Sequence, residues 1–348
     1  MIHTAIIGCG RISHIHAEAA QTLTDLRITA CCDVNEQTAK SWAGTYGCSS
    51  FYTDYKEMLR VEKPDAVIIA TWPTQHLEQI RACLSYGVKH ILCEKSLAMT
   101  GAEAYEIRRI VREADAFLME GFMFRHHPAI RKLEKLLLDP EIGPVDNVRA
   151  VFSDWDPEEA SPDDDSRVWR QRKECGGGVP YDYTCYTVNA CNHFTGGTPL
   201  RVYATGGISA KYGTINRIYG TIEYDNGKVG IIESSKKACS SMELQISCAH
   251  SVLNLPIAFR HFEGVAIEKH RMKQWGYRST DTFMIEKANS FAIQLRNFAD
   301  VILGQAEPVM PLEQSVINVY TLEALVNSVL QERVIEIELP LLEVEAIG

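Results

Sequence analysis

Hydrophobic positions in the first third of the chain form short continuous runs separated by stretches of helical period. The runs at 2–7, 26–33, 66–70, 88–93 and 116–119 predict strands. The stretches at 35–46, 54–61, 75–86 and 101–114 predict helices. Apolar runs without alternation are typical of parallel strands covered on both faces by helices. The pattern therefore predicts an α/β domain built on a doubly wound parallel sheet.

The pattern changes after residue 121, where this alternation of strands and helices stops. A helix is predicted at 128–138, and strands are predicted at 145–152, 201–206, 218–224, 228–234 and 242–249. The sequence D-N-G between two of these strands is a strong hairpin signal, so the sheet is at least partly antiparallel. Helices at 283–303 and 312–331 and a strand at 334–339 complete the pattern. We therefore expect a parallel-sheet domain at 1–121, and at 122–348 an α+β domain with a large, mostly antiparallel open sheet.

This second sheet has no predicted helices between its strands to cover both of its faces. One face packs on helices of its own chain, and the other face, if apolar, needs a second subunit. We therefore expect a homodimer or homotetramer formed through the sheet of the second domain.

A glycine turn closes the first predicted strand. The sequence G-C-G-R-I-S has the form G-x-G-x-x-S and leads directly into a helical pattern. A strand, a tight turn and a helix N-terminus present free N–H groups and the positive end of a helix dipole to an anion. The pattern predicts that Gly8, Gly10, Arg11 and Ile12 bind the pyrophosphate of a dinucleotide. A serine replaces the third glycine of the common pattern and is small enough to let the helix pack on the strand.

An acidic residue ends the second predicted strand. Asp33 lies about twenty residues past the glycine turn, where a carboxylate hydrogen-bonds the adenosine ribose hydroxyls and repels a 2′-phosphate. The alternative is a helix cap or a loop acid, but the complete strand, turn, helix and strand favours the cofactor interpretation. The sequence therefore predicts NAD, with NADP the less favoured cofactor.

Two further strand ends carry candidate functional residues, because ligands bind at the carboxyl ends of strands in open α/β sheets. The segment from Thr71 to His76 follows one strand, and Glu94 and Lys95 follow the next. A lysine at a strand end is more often a solvated surface charge, and a lone histidine after a strand is more often structural. We predict that Thr71, His76 and Glu94 contribute to the cofactor site and that Lys95 reaches the reacting centre.

A glycine-rich stretch at 175–189 in the second domain reads C-G-G-G-V-P-Y-D-Y-T-C-Y-T-V-N. Three glycines let a backbone approach a ligand closely, so they predict the floor of a pocket, and the proline suits the first turn of a helix. Asp182, Tyr186 and Asn189 follow at helical spacing, which predicts three polar side chains on one helical face. The alternative is a glycine turn before an amphipathic helix whose polar face meets water.

The composition is that of an ordinary globular protein, and it excludes several classes of function. A formal net charge of -10 argues against a nucleic-acid surface, which needs a basic face. The sequence shows no signal-peptide pattern and no apolar run long enough to span a bilayer. The 11 cysteines are an odd number without a C-x-x-C pair. We expect a cytoplasmic protein with reduced thiols, a small-molecule partner, and no membrane or nucleic-acid partner.

The stretch 154–165 contains seven acidic residues and two prolines. Clustered carboxylates without a fixed element are more often a solvated loop than a metal site. We therefore expect a lid or rim at this stretch, and no metal.

These motifs as a set resemble the glucose-fructose oxidoreductase and inositol dehydrogenase (Gfo/Idh/MocA) family over essentially the whole chain. The resemblance rests on the glycine turn, His16, a T-x-P-x-x-H-like segment at 71–76, C-E-K at 93–95, I-G-x-V at 142–145 and G-G-G-x-x-x-D at 176–182. It implies an N-terminal Rossmann domain that binds NAD(P). It also implies an oxidation or reduction at one carbinol or carbonyl carbon of a sugar, polyol or sugar derivative.

Two further motifs are similar to the branch that contains xylose dehydrogenases, dihydrodiol dehydrogenase and glucose-fructose oxidoreductase. They are M-E-G-F-M-F-R-H-H-P at 119–128 and D-x-x-C-Y-x-x-N at 182–189. In that branch a tyrosine replaces the histidine of inositol-dehydrogenase-like members, and Tyr186 occupies this position. The resemblance also implies that Arg125 contributes to the substrate site, together with Lys95, Asp182 and Tyr186.

The chain departs from the family pattern at two places. Ser96 stands where E-K-P of the family has its proline, and in many members the bond before that proline is thought to be cis. Because a cis bond costs more before serine than before proline, we predict a trans bond between Lys95 and Ser96. Tyr183 and Thr184 stand where relatives often have a small residue and glycine, which predicts a narrower pocket floor.

Hydride transfer at a carbinol carbon needs a group that exchanges the hydroxyl proton. Lys95 and Tyr186 are the candidates, and both are poor bases at their ordinary pKa values. The positive charge of oxidised nicotinamide lowers the pKa of a nearby lysine and favours tyrosinate. The sequence does not decide between the two residues, but we expect both to reach one reacting oxygen. Asp182 is expected to hold a substrate hydroxyl or the lysine.

Two other classes of function stay open at this point. An NAD-dependent glycosidase with a transient redox step releases sugar without net formation of NADH. A non-catalytic NAD(P)-binding sensor holds the cofactor without turnover. The pairing of Lys95 with Tyr186 favours the dehydrogenase or reductase over the sensor.

Overall fold

The structure is a computed structural model that describes residues 1–155, 169–260, 263–272 and 278–340. The chain divides into two compact units, Met1–His126 with Asn289–Val316, and His127–Ala288 with Ile317–Gly348. A domain boundary near Gly121 stays a prediction, and no sequence pattern had assigned residues 289–316 to the first unit. The lid or rim expected at 154–165 lies, except for its first two residues, outside the described residues.

Several helices of the described chain begin at side-chain caps. Asn35, Asp54, Thr100 and Asn289 each accept a backbone N–H of the helix that follows, which stabilises its first turn. The helices are α1 (Arg11–Ala20), α2 (Glu36–Tyr46), α3 (Tyr55–Glu62), α4 (His76–Ser85), α5 (Gly101–Glu113), α6 (Pro128–Leu137), α7 (Cys185–Thr195), α8 (Ser290–Ile302) and α9 (Leu312–Gln331). Single 3₁₀ turns occupy Pro73–Gln75, Met123–His126 and Lys173–Cys175, and a π-helical turn occupies Pro180–Thr184.

The first unit contains a six-stranded sheet in the order β3-β2-β1-β4-β5-β6, with every neighbouring pair parallel. Its strands are β1 (Ile2–Ile7), β2 (Leu26–Cys32), β3 (Ser50–Tyr52), β4 (Ala66–Ile69), β5 (His90–Glu94) and β6 (Phe117–Gly121). All four residues of β4 are buried, as a strand covered on both faces requires. The doubly wound parallel sheet is thus confirmed, with β3 as a short strand that the sequence pattern had missed.

The second unit contains a nine-stranded mixed sheet in the order β14-β13-β12-β11-β7-β10-β9-β8-β15. Its strands are β7 (Val145–Ser153), β8 (Pro199–Ile208), β9 (Ile215–Tyr224), β10 (Val229–Ser235), β11 (Leu244–Cys248), β12 (Val252–Leu255), β13 (Val265–Met272), β14 (Arg278–Ile285) and β15 (Ile335–Glu336). β7 and β10 are parallel, and the other pairs are antiparallel. The prediction of a large, mostly antiparallel sheet is confirmed.

The predicted hairpin between β9 and β10 is confirmed by its register. Glu223 pairs with Val229 across the turn, and Gly227 at the turn has a positive φ of 78°. Side chains along β9 then alternate between the two faces of the sheet, with Ile218 and Ile222 buried and Tyr219 exposed. Helix α7 packs against the buried face, where it contacts β7 and β10.

The prediction of one helix at 283–303 is wrong at its start. Residues up to Ile285 belong to β14, which pairs with β13 in an antiparallel ladder that joins Phe283 to Ile267. The helix α8 begins only at Ser290, because the side chain of Asn289 caps its first turn. Pairing of β14 with the preceding strand therefore outweighs the local helical pattern at its end.

Candidate cofactor and substrate sites

The glycine turn after β1 has the geometry of a phosphate cradle. Gly8 has a φ of 94°, and a Cβ at this position would lie 2.7 Å from the carbonyl oxygen of Ala70, so only glycine fits. Gly10 precedes α1, and a Cβ placed there would meet no atom within 4 Å. No side chain caps this helix among the described residues, so the first-turn N–H groups of Arg11 and Ile12 have no side-chain acceptor. These features fit the pyrophosphate of a dinucleotide.

Asp33 lies beside this turn at the carboxyl end of β2. Its Oδ2 accepts the backbone N–H of Cys9 at 3.0 Å, and its Oδ1 accepts the N–H of Asn35 at 2.9 Å. The side chain is half-buried, and a carboxylate has about four acceptor positions, so two remain for ribose hydroxyls. The residues of this half of the site therefore fit an adenosine ribose.

Thr71 and His76 connect the end of β4 to the segment after β5. The hydroxyl of Thr71 donates to Oε1 of Gln79 at 2.6 Å. The ring of His76 is fully buried, and its Nδ1 lies 3.0 Å from the carbonyl oxygen of Ser96 and 3.2 Å from that of Leu97. Nε2 also faces a carbonyl oxygen, that of Thr71 at 3.3 Å, and burial lowers the pKa of His76, which favours the neutral ring. His76 thus holds the backbone after Lys95, and its contact with nicotinamide stays a prediction.

Glu94 ends β5 and is buried together with its partner. Its Oε1 lies 2.7 Å from Nε2 of His16, which is fully buried on α1. Because β1 and β5 belong to one parallel sheet, the glycine turn and Lys95 lie at the same edge of that sheet. The first unit therefore brings the predicted dinucleotide cradle and the predicted catalytic lysine to one sheet edge.

The predicted trans bond between Lys95 and Ser96 is wrong, because this bond is cis. The prediction considered only the intrinsic preference of the peptide bond. In the structure, the carbonyl of Ser96 accepts from His76, and the N–H of Leu97 donates to Glu120 Oε1 at 2.8 Å. Buried contacts on both sides, made by residues distant in sequence, hold this segment.

Glu120 is a buried acid that the sequence analysis did not single out, although it lies in the M-E-G-F motif. It is on β6, has no exposed surface, and accepts the N–H of Leu97. Burial raises the pKa of Glu120 to about 8, so its carboxyl is mostly protonated at neutral pH.

The described contacts of Arg125 are to a segment of its own unit. Its guanidinium donates to Gln314 Oε1 at 3.2 Å and to the carbonyl of Val309 at 3.4 Å, and it lies 3.6 Å from the sulfur of Met310. The side chain is buried. The role of Arg125 in substrate binding stays a prediction.

One glycine of the stretch 176–178 packs closely against the chain's own backbone, and the pocket floor expected at this stretch stays a prediction. A Cβ at Gly177 would lie 2.6 Å from the carbonyl oxygen and 2.7 Å from the nitrogen of Arg172. The close approach that the glycine permits is therefore to the chain's own backbone. Among the described residues, this turn fixes the segment at 171–172.

The helix that was expected to carry Asp182, Tyr186 and Asn189 is not one continuous α-helix. Pro180–Thr184 is a π-helical turn, and α7 begins at Cys185. A π turn inserts an extra residue, so the expected i, i+4 alignment of Asp182 with Tyr186 is corrected. All three side chains are buried, which excludes the alternative of a polar face in water.

Two cations face the carboxylate of Asp182. Its Oδ2 lies 3.6 Å from Nε of Arg170 and 3.6 Å from Nζ of Lys236. Lys236 follows β10, is 1% exposed, and donates to the carbonyl of Arg170 at 3.1 Å. Two neighbouring positive charges stabilise the negative charge of a buried carboxylate. No sequence motif marks Lys236, and only its position at the end of β10 brings it to Asp182.

Aromatic rings fix Tyr186 and Tyr183 in the same unit. The ring of Phe152 lies 5.4 Å from that of Tyr186 and stacks on that of Tyr183 at 4.6 Å between centroids. Phe259 contacts both Phe152 and Tyr186, and Nζ of Lys236 lies 5.5 Å from the centre of the Tyr183 ring. The described contacts of Tyr183 thus belong to an aromatic cluster, and a narrower pocket floor stays a prediction.

The structure brings the predicted residues together in two groups. Gly8, Gly10, Asp33 and Lys95 share one sheet edge in the first unit. Asp182 and Tyr186 are neighbours in the second unit. That Lys95 and Tyr186 reach one reacting oxygen stays a prediction.

In the described part of the chain, no helix combines the length and the apolar character that crossing a membrane requires.

Comparisons with known proteins extend this picture. Residues 2–122 match the family model described as "Oxidoreductase family, NAD-binding Rossmann fold". Residues 130–253 match the model of the GFO/IDH/MocA C-terminal domain.

Individual relatives have related names. The D-xylose 1-dehydrogenase (NADP(+)) 2 of Haloferax volcanii is 30% identical over 84% of this chain and 87% of its own length. The trans-1,2-dihydrobenzene-1,2-diol dehydrogenase of Xenopus laevis is 29% identical over 72% of this chain and 74% of its own. A 3-ketoreductase from Actinomadura kijaniata, crystallised with NADP and TDP-benzene, has the same fold. Its TM-score is 0.84 at 22% identity, and the match covers 94% of this chain and 97% of that one.

Proposed function

The chain belongs to the GFO/IDH/MocA family of oxidoreductases, as its motifs indicated, and we propose that it transfers a hydride between NAD(P) and a carbinol or carbonyl carbon of a sugar-like substrate. The observation that carries the proposal is the common sheet edge of the first unit. The uncapped start of α1, Asp33 and Lys95 lie at the carboxyl ends of β1, β2 and β5 in one parallel sheet. A dinucleotide bound at the start of α1 would therefore lie at the sheet edge that also carries Lys95.

The bound dinucleotide supplies the hydride chemistry, and the residues of this chain supply binding, orientation and proton exchange. Lys95 and Tyr186 are the two groups proposed to exchange the proton of the substrate hydroxyl. Lys95 is half-buried, and partial burial makes an ammonium easier to deprotonate, whereas the buried Tyr186 needs the positive charge of oxidised nicotinamide to favour tyrosinate. Which of them carries the proton is decided by the pH dependence of the single variants.

Asp182 is proposed to accept a hydrogen bond from a substrate hydroxyl. The charges of Arg170 and Lys236 favour its ionised form, and an ionised carboxylate only accepts hydrogen bonds. This charge state suits a polyol or sugar, whose hydroxyls donate. It also separates the role of Asp182 from that of a general acid.

We propose that NAD is preferred over NADP. The proposal rests on Asp33, whose carboxylate is held beside the glycine turn by the N–H groups of Cys9 and Asn35 and would repel a 2′-phosphate. One of the relatives above carries NADP in its name and another was crystallised with NADP, so the preference has to come from residues of this chain. Asp33→Ser should lower the NAD:NADP ratio of kcat/KM by about tenfold, equal to about 1.4 kcal/mol. An unchanged ratio would contradict the proposed preference.

The proposed activity is tested with a panel of sugars, inositols and sugar nucleotides, each with NAD and with NADP. A reversible change in the absorbance of reduced nicotinamide is expected with at least one substrate. Sugar release without net NADH would instead identify a glycosidase, and cofactor binding without turnover would identify a sensor.

Lys95→Ala should lower kcat about 10²- to 10⁴-fold, the range of general acid–base catalysis. Lys40→Ala is the matched control, because Lys40 is an exposed lysine on α2. Activity retained by Lys95→Ala would overturn the assignment of Lys95.

We further propose a homodimer or homotetramer formed through the exposed face of the nine-stranded sheet. Tyr203 on β8 is 50% exposed there, and Tyr219 on the neighbouring β9 is 39% exposed. Light scattering of the purified protein should give a multiple of the chain mass, and Tyr219→Glu should shift it toward the single chain.

We also propose a cytoplasmic location, because all 11 cysteines are free thiols. Cell fractionation tests it.

A further inference from the structure

Glu120 lies beside the backbone that carries Lys95. β6 pairs with β5 in parallel register, with Glu120 opposite Cys93 and Gly121 opposite Glu94. Glu120 is fully buried on β6, beside the end of β5, which leads directly into Lys95. A titratable side chain is thus enclosed next to the proposed catalytic lysine.

One oxygen of the Glu120 carboxyl has a fixed partner and the other has none. Oε1 accepts the N–H of Leu97 at 2.8 Å. Within the described chain, Oε2 has no hydrogen-bond partner, and neither has the buried hydroxyl of Ser315. A buried carboxylate oxygen without a partner is costly, and a proton on the carboxyl removes most of this cost. The contacts therefore favour the acid form.

The charges around Glu120 point the same way. Glu94 is an acid close to Glu120, because its Oε1 would lie 3.2 Å from a Cβ at Gly121, the residue that follows Glu120. Burial raises the pKa of Glu120 to about 8, while the nearby hydroxyl of Ser315, the Leu97 N–H and the charge of Lys95 act in the opposite direction. The groups that face the carboxyl from its neighbours are Cys93, Glu94 and Lys95 from β5 and its end, and Ser315 from α9. His76 acts on the same segment through the carbonyls of residues 96 and 97.

We propose that Glu120 is a positioning residue for Lys95, and that the ionisation of its carboxyl changes the pH range in which Lys95 exchanges a proton. The inference rests on the proposed catalytic role of Lys95. Glu120 holds the Leu97 amide two residues beyond the lysine. When its proton leaves to water at alkaline pH, a negative charge appears near the Lys95 ammonium. An opposite charge favours the charged form of the lysine, which delays the loss of its proton.

Glu120→Gln separates this role from a purely structural one. The amide oxygen of glutamine still accepts the Leu97 N–H, but the side chain can no longer ionise. The alkaline inflection of kcat/KM should move down by about one pH unit, because no negative charge at residue 120 then stabilises the ammonium form of the lysine. KM at neutral pH should change little. Glu57→Gln, which removes an exposed carboxyl on α3, should leave the profile in place.

A profile of Glu120→Gln that superimposes on the wild-type profile would overturn the inference and leave Glu120 as a structural residue. Turnover retained by Lys95→Ala would overturn the proposed function and this inference together. A normal loss in Lys95→Ala with an unshifted Glu120→Gln profile would overturn this inference alone.

Infrared difference spectroscopy gives a readout that needs neither substrate nor cofactor. The wild-type protein should show the carbonyl band of a protonated carboxylic acid that disappears with a midpoint near pH 8, and Glu120→Gln should lack this band. If the variant fails to fold, the wild-type titration decides. Absence of a band that titrates in this range would overturn the inference.

Discussion

Asp182 and Glu120 are both buried acids next to a proposed catalytic group, but their surroundings differ in charge. Asp182, in the second unit, has the cations of Arg170 and Lys236 at 3.6 Å from one oxygen. Glu120, in the first unit, has Glu94 and Lys95 at the end of the neighbouring strand, has no exposed surface, and accepts the N–H of Leu97. The same chemical group is thus stabilised as an anion at one position and as an acid at the other. The difference shows that the residues at neighbouring strand ends determine whether a buried acid is favoured in its charged or its protonated form.

Removing the cation at Asp182 should have the largest effect. Lys236→Met leaves a buried carboxylate without its most enclosed partner, so we expect a loss of about 3 kcal/mol in the free energy of unfolding. We also expect kcat/KM to fall about 10- to 100-fold, equal to about 1.4 to 2.8 kcal/mol. Urea denaturation and steady-state kinetics measure the two effects.

The charge itself is tested by two control variants. Lys236→Arg keeps a positive charge and should recover part of both losses, whereas Lys40→Met on the exposed side of α2 should cause neither. Equal losses in Lys236→Met and Lys236→Arg would show that packing, rather than charge, is what Lys236 contributes.

Glu120 should make the folded protein less stable as the pH rises toward about 8. Its folded pKa of about 8 lies above that of an unfolded glutamate, so the folded protein binds the extra proton. Its contribution to stability is complete at acid pH and is lost as pH rises toward about 8, by up to about 1.4 kcal/mol per pH unit. Glu120→Gln should remove this slope in urea denaturation between pH 6 and 8. A variant with the wild-type slope would contradict the acid form of Glu120.

His76 contacts the same backbone segment, but it should make the folded protein less stable as the pH falls. Burial lowers the pKa of His76, so its contribution to stability is present above the ordinary histidine pKa and is lost as pH falls. The loss amounts to at most about 1.4 kcal/mol per pH unit. His76→Gln should flatten the acid side of the stability profile while Glu120→Gln flattens the alkaline side. If both variants changed the same side, the two residues would not hold residues 96 and 97 in the proposed way.

Arg170 should give the smallest effect. Its side chain is 27% exposed, whereas that of Lys236 is 1% exposed, so solvent screens its charge more strongly. Arg170→Gln should lower the free energy of unfolding by less than about 1 kcal/mol. A loss as large as that of Lys236→Met would show that burial does not rank the two cations.

The sequence determined the features of this protein that depend on neighbours in the chain. The turn after β1 requires a positive φ at Gly8, the hairpin requires the D-N-G turn, and runs of apolar residues mark strands covered on both faces. The family followed from the same local motifs. Asp33 also belongs to this class, because the length of one strand, helix and strand sets its distance from the turn.

Only the tertiary structure decided how the acids and the cis bond are held. The N–H of Leu97, after β5, donates to Glu120 on β6, and Lys236 at the end of β10 lies beside Asp182. Strand β14 includes residues that locally resemble the start of a helix. Burial and charge act on pairs of residues far apart in the chain, and their strength depends on how completely water is excluded. Local pattern records neither the pairing nor the exclusion of water, so the charge of each buried acid appears only once the strands are assembled.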